Sequence, residues 1–151
     1  MGEAAMDVQR IVDIFQSYRK VNQTFFQLLS KAANKHKLTA LQFVVLRVLH
    51  EHPEICLSEL AEKLNLGNST TSGIVEPMVK TGILKRERTK WDRRAMALTL
   101  TSTGQELWRE TDETRMKMML PLLDLSEQDY RELSRLQKEV LRLLSQSREE
   151  A

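Results

Sequence analysis

The sequence predicts a mainly α fold of the α+β class, with long helices at both ends and a two-stranded hairpin between them. Three observations carry this. Apolar residues recur at three- and four-residue steps over most of the chain, the period of a half-buried helix. The composition is poor in what sandwiches and barrels use, with 5% aromatics, 5 Gly and 3 Pro in 151 residues. One stretch, Ile83 to Thr101, instead reads as two short extended arms around a polar, basic tip.

In chain order, Val8, Ile11, Val12, Phe15, Tyr18, Val21, Phe25, Phe26, Leu29 and Ala32 form the stripe of a single helix from about Ala5 to Asn34. That stripe is too apolar to stand alone. Thr39 caps a second helix in which Leu41, Val44, Val45, Val48 and Leu49 face inward, and Pro53 ends it. Ile55-Cys56-Leu57 is a short extended piece before a brief helix containing Leu60, Ala61 and Leu64. After the turn Leu66-Gly67-Asn68, Asn68 is expected to cap a further helix, which Gly82 closes. Leu98 and Leu100 alternate with Thr99 and Thr101, as in a strand with one buried face. From Ser102 a helix runs through Leu107, Trp108, Met116, Met119 and Leu120 to Pro121. A last helix begins at Ser126 with Tyr130, Leu133, Leu136, Val140, Leu141 and Leu144 as its stripe.

Two short helices joined by a tight turn, then a basic hairpin, make a winged helix-turn-helix. The second helix starts with small polar residues and fits a DNA major groove, about 12 Å wide. The hairpin offers Arg88, Lys90, Arg93 and Arg94 to phosphates or to the minor groove. Charge agrees with this placement. The chain carries +2 overall, but residues 101–151 hold eight basic and eleven acidic side chains, so residues 1–100 carry +5. Six basic residues and two acidic ones fall between Lys85 and Arg94.

The other classes are poorly served. One cysteine, Cys56, excludes an internal disulfide and suits a reducing compartment, and it reads as a small buried residue. Glu3 and Asp7 interrupt the N-terminus where a secretory signal would need an apolar run, and no stretch is long enough to span a bilayer. A cytoplasmic protein with no membrane association is expected. His50, His52 and the glutamates beside them straddle a helix end without further ligands, so no metal and no cofactor are expected. No nucleophile with a placed base, phosphate loop or spaced carboxylate pair points to an enzyme. Met116, Met118 and Met119 suit adaptable packing or the wall of a ligand cavity. Trp91 suits stacking on a sugar or covering the hairpin.

The run from Leu38 to Leu46, then Leu57-Ser58-Glu59-Leu60-Ala61-Glu62-Lys63-Leu64, then Asp92-Arg93-Arg94-Ala95 and Leu98 to Gly104, resembles the MarR family of winged-helix regulators. In order and spacing these pieces are specific where each alone is weak. The resemblance implies a homodimeric DNA-binding regulator, usually a repressor, often released by a small molecule or by oxidation. It implies that Asn68, Ser69, Thr70, Ser72 and Gly73 lie nearest the bases or phosphates. It also implies that Asp92 steadies the wing, that Arg94 enters the minor groove and that Arg93 meets a phosphate. The oxidation-sensing branch uses a cysteine in its first helix, and this chain has none there. A small-molecule effector would lodge near Phe15, Tyr18, Phe43 and Leu46.

One departure stands out. Pro77 occupies the recognition helix where the family commonly has an arginine, and a proline inside a helix costs roughly 3 kcal/mol unless a bend absorbs it. The expectation is altered helix direction with DNA binding retained. The alternative is a protein-interaction module that has lost base reading. The organisation expected is one structural domain in three parts. These are an N-terminal dimerisation helix over 1–38, the winged helix-turn-helix over 39–104, and C-terminal dimerisation helices over 105–151. The partner expected is a pseudo-palindromic double-stranded DNA operator.

Overall fold

The computed structural model describes residues 2–92 and 96–149, and the chain divides into two compact units, the first ending at Met118 and the second beginning at Met119. In the first unit α1 spans Gly2–Lys35, α2 Ala40–Glu51, α3 Leu57–Leu64 and α4 Asn68–Lys80, followed by strands β1, Leu84–Arg88, and β2, Met96–Leu100. Helix α5, Ser102–Met119, leads into the second unit, a 3-10 turn over Leu120–Asp124 and α6, Glu127–Glu149. This is the mainly helical fold with a two-stranded hairpin that the sequence predicted.

Local chemistry sets the helix ends. Thr39 and Gln42 form a reciprocal capping box: Gln42 N–H donates to Thr39 Oγ1 at 3.1 Å, and Thr39 N–H donates to Gln42 Oε1 at 3.0 Å. Helices α1, α3 and α4 all end on a residue with positive φ, namely Lys37, Asn65 and Gly82. After each, the next N–H reaches back five residues: Leu38 to Ala33 O at 3.0 Å, Leu66 to Ala61 O at 3.0 Å and Ile83 to Met78 O at 2.9 Å. Gly82 closes α4 as expected. Ser126 likewise starts α6, accepting the Asp129 N–H at 3.0 Å.

The core of the first unit is built from Phe43, Val45, Leu46 and Leu49 of α2, Leu60 of α3, Val75 and Met78 of α4, and Leu84 and Leu98 of the hairpin, all essentially buried. The sheet is antiparallel, with Leu84 opposite Leu100 and Arg88 opposite Met96. Strict alternation on the second arm does not hold, because Ala97 and Leu98 are both buried. Leu98 also bridges a third extended residue, Ile55, its N–H donating to Ile55 O at 2.8 Å, so β2 lies between β1 and that segment.

Outside this core much apolar surface stays uncovered. Ile11, Phe15, Val21 and Phe26 of α1 are exposed, and the buried residues of α1 are Ala32 and Ala33 near its C-terminal end. In the second unit Tyr130, Leu133, Leu136, Leu141 and Leu144 are exposed along α6. The polar side of α6 is laced by Arg131 to Glu127, Arg135 to Glu132 and Arg142 to Glu139. No described helix is long and apolar enough to cross a membrane.

Candidate nucleic-acid interface

Helix α4 buries one side and presents the other. Thr71, Val75 and Met78 are buried, whereas Asn68, Ser69, Thr70, Gly73 and Pro77 are exposed and Ser72 is half-buried. The cap differs from the expected one: the N-cap is Gly67, and Asn68 is already in the first turn. Thr71 is the cause, since both its N–H, at 3.0 Å, and its hydroxyl, at 2.9 Å, donate to Gly67 O and start the helix one residue earlier. Asn68 is therefore not spent on capping. Among the described residues the side chains of Asn68, Ser69, Thr70 and Ser72 make no hydrogen bond, and the first three are exposed, so their donors and acceptors are open to a partner.

Pro77 does not break the helix, which runs from Asn68 to Lys80 as one element. Gly73, four residues earlier, carries the carbonyl that loses a donor to this proline. A methyl group placed on Gly73 would meet nothing within 4 Å, so no packing inside the chain requires a glycine there.

The hairpin displays Lys85, Arg86, Glu87 and Arg88 on β1 and Lys90 beyond it, all exposed. Its tip is held by Thr89, whose hydroxyl accepts the Asp92 N–H at 3.0 Å and donates to Asp92 O at 2.6 Å. Trp91 in that turn is 90% exposed, which rules out a covering role and leaves the whole ring at the surface. Arg93 and Arg94, with Ala95, lie outside the described residues. Two groups not foreseen tie hairpin to helix: Arg86 donates to the carboxylate of Glu76 on α4. That hydrogen bond holds the Glu76 carboxyl below the usual carboxylate range. Paired with Arg86, the one acid on the outward half of α4 is partly neutralised.

The elements converge on one joint. Thr101 N–H donates to Ile83 O at 3.1 Å, the Thr101 hydroxyl donates to Gly82 O at 2.6 Å, and Gly104 N–H donates to Thr101 Oγ1 at 3.1 Å. Thr101 thus caps α5 while gripping the exit of α4. Gly104 backs onto Ile83, where a Cβ would sit 2.2 Å from the carbonyl oxygen. This joint sets the hairpin against the helix that it flanks.

The remaining candidates separate. Phe43 and Leu46 are fully buried in the core and offer no surface to an effector, which corrects their expected place in a cavity wall. Phe15 is 66% exposed on α1, about 27 Å along the helix from Ala33 at 1.5 Å per residue. The half-buried Tyr18 is nearer by only one turn. Met118 does border an open hollow of about 460 Å³, with Lys35, His36, Thr114 and Lys117. His50 stacks on Trp108, ring centroids 3.6 Å apart, joining the end of α2 to α5. Among the described residues no group of three His, Cys, Asp or Glu side chains could hold a metal ion. Cys56 is half-buried at the N-cap of α3, its sulfur 3.1 Å from Ser58 Oγ.

Comparison with known proteins agrees with this geometry. The sequence profile of the MarR family matches residues 38–96, the stretch from the α1–α2 turn to the start of β2. The HTH-type transcriptional regulator MgrA of Staphylococcus aureus is 26% identical over 141 residues, covering 93% of each chain. Among solved structures, a MarR family transcription regulator superposes with a TM-score of 0.84 over 97% of this chain and 98% of its own, at 17% identity. A Staphylococcus aureus MarR in complex with salicylate and kanamycin does so with a TM-score of 0.76, at 19% identity, covering 89% of this chain and 91% of its own. At such identities these superpositions speak for the fold.

Proposed function

Because the chain belongs to the MarR family and is a helix-turn-helix transcriptional regulator, we propose that it acts as a cytoplasmic homodimer on a pseudo-palindromic DNA operator. Each α4 enters a major groove, and the two grooves are roughly 34 Å, or about 10 base pairs, apart on one face. The observation that carries this reading is the row of unspent polar side chains at Asn68, Ser69, Thr70 and Ser72 on the outward side of α4. Beside it stands a hairpin that projects Arg88 and Lys90. Hydroxyls at a helix N-terminus meet phosphates or either kind of base edge, so they set register. Arg93 takes a phosphate, Arg94 the minor groove, and Asp92 steadies the wing.

Dimerisation is supported by the uncovered stripes of α1 and α6, which a second copy would cover. In parts, residues 1–38 and 105–151 serve the dimer and residues 39–104 the DNA. Repression relieved by a small-molecule effector is part of this reading, and a structural neighbour, a Staphylococcus aureus MarR, is in complex with the small molecules salicylate and kanamycin. Of the residues first assigned to that effector, Phe15 and Tyr18 keep accessible surface. The protein-interaction alternative rested on Pro77 disabling α4, and α4 passes through Pro77 without a break.

Selection of bound sequences from random duplex DNA, followed by hydroxyl-radical footprinting, tests the proposal. The expected result is an enriched inverted repeat with two protected segments whose centres lie about 10 base pairs apart. Enrichment of no sequence, or of an isolated half-site bound by one chain, contradicts it.

A further inference from the structure

Thr70, Gly73 and Pro77 stand at i, i+3 and i+7 on α4, so they share one stripe of the helix, and all three are exposed. This stripe carries no amide, guanidinium or ammonium group. Guanine is read through bidentate arginine or lysine, and adenine through asparagine or glutamine. Between Ser69 and Val79 the helix has none of these four residue types. Its one charge there, Glu76, is engaged by Arg86. What the stripe does offer is hydrocarbon: the Thr70 methyl group at one end, the Pro77 ring at the other, and between them Gly73, where space beyond the backbone is open.

A glycine that no internal packing demands weakens the helix, and a proline inside it adds to that loss. Both are accounted for if an outside surface approaches closely and without polar demands. In the major groove the surface of that kind is the C5-methyl group of thymine, the one apolar feature among the base edges. We infer that the Thr70–Gly73–Pro77 stripe reads thymine methyl groups, so that the core of each operator half-site is specified by T·A pairs through apolar contact. This rests on the regulator reading above and adds which residues select which base. Asn68 and the hydroxyls of Ser69 and Ser72 then position the helix.

The test uses the full-length chain and the operator enriched from random duplex DNA. Each thymine in the protected major groove is replaced singly by deoxyuridine, which removes the methyl group and keeps every hydrogen bond of the pair. At one or two positions per half-site, affinity should fall about four-fold, the equivalent of one buried methyl group. Thr70→Ser, which keeps the hydroxyl and removes the methyl, or Pro77→Ala should abolish that sensitivity at its own position. Both substitutions lie on the solvent side of the helix, and circular dichroism confirms that each variant is folded. An enriched operator indifferent to uracil throughout, or equally sensitive in both variants, overturns this inference alone. Enrichment of no sequence overturns the regulator reading and the inference with it.

Discussion

Gly104→Ala should destabilise the protein by about 3 kcal/mol or more, at the upper end of what overpacking costs, and by enough to leave part of the population unfolded at 37 °C. The added carbon would sit 2.2 Å from the Ile83 carbonyl oxygen, and that oxygen also accepts the Thr101 N–H at 3.1 Å. Relief therefore requires prising α5 from the α4–β1 junction. A domain with about 5–15 kcal/mol of total stability has little room for this loss. Gly73→Ala provides the opposite sign in the same assay. It meets nothing within 4 Å, and it should stabilise α4 by about 1 kcal/mol through helix propensity alone. Urea unfolding followed by circular dichroism distinguishes the two, and equal midpoints would refute this role for the joint.

Replacing Leu133 and Leu136 together by aspartate should convert the protein to a monomer and weaken operator binding by at least about 100-fold. Both side chains are exposed on α6, at 45% and 46%, so the substitution does not disturb the buried core of the first unit. Two charges on this stripe oppose its burial against a second copy. Tethered half-site readers gain about 10²–10⁴ in avidity over single ones, and separation removes that gain. Light scattering coupled to gel filtration reads the mass, and fluorescence anisotropy reads the DNA. A dimer that persists in the double variant would place the interface elsewhere.

Much of this architecture was legible in the chain, and the exceptions share a cause. The helices α1, α2, α5 and α6 announced themselves through their three- and four-residue stripes, and Thr39, Gly82 and Ser126 marked boundaries because caps are local chemistry. Asn68 misled because the competing acceptor was a backbone carbonyl at Gly67, reached by the Thr71 hydroxyl. The strict alternation expected of β2 failed, Ala97 and Leu98 both being buried, and the pairing of Leu98 with Ile55, more than forty residues earlier, had no local signal.

Pairings between elements left weaker traces. Opposite charges at Glu76 and Arg86 hinted at a link between helix and hairpin, but only the geometry pairs them. The stacking of His50 on Trp108 had no signal in spacing at all. Phe43 and Leu46 look alike whether they line a cavity or fill a core, because an aromatic or leucine stripe serves either. The interface residues were easier. Asn68 to Gly73 break the apolar pattern with small polar groups, and the hairpin breaks it with cations.

The most direct measurement is a salt titration of operator binding by the full-length protein beside Arg93→Ala and Arg94→Ala. For the unaltered chain, log affinity is predicted to fall steeply and linearly with log salt. Each substitution should lower affinity at least about ten-fold and reduce the slope by about 0.9 for every phosphate that is no longer neutralised. Affinity that ignores salt, or that survives both substitutions undiminished, would contradict the claim that the helix and its hairpin together grip DNA.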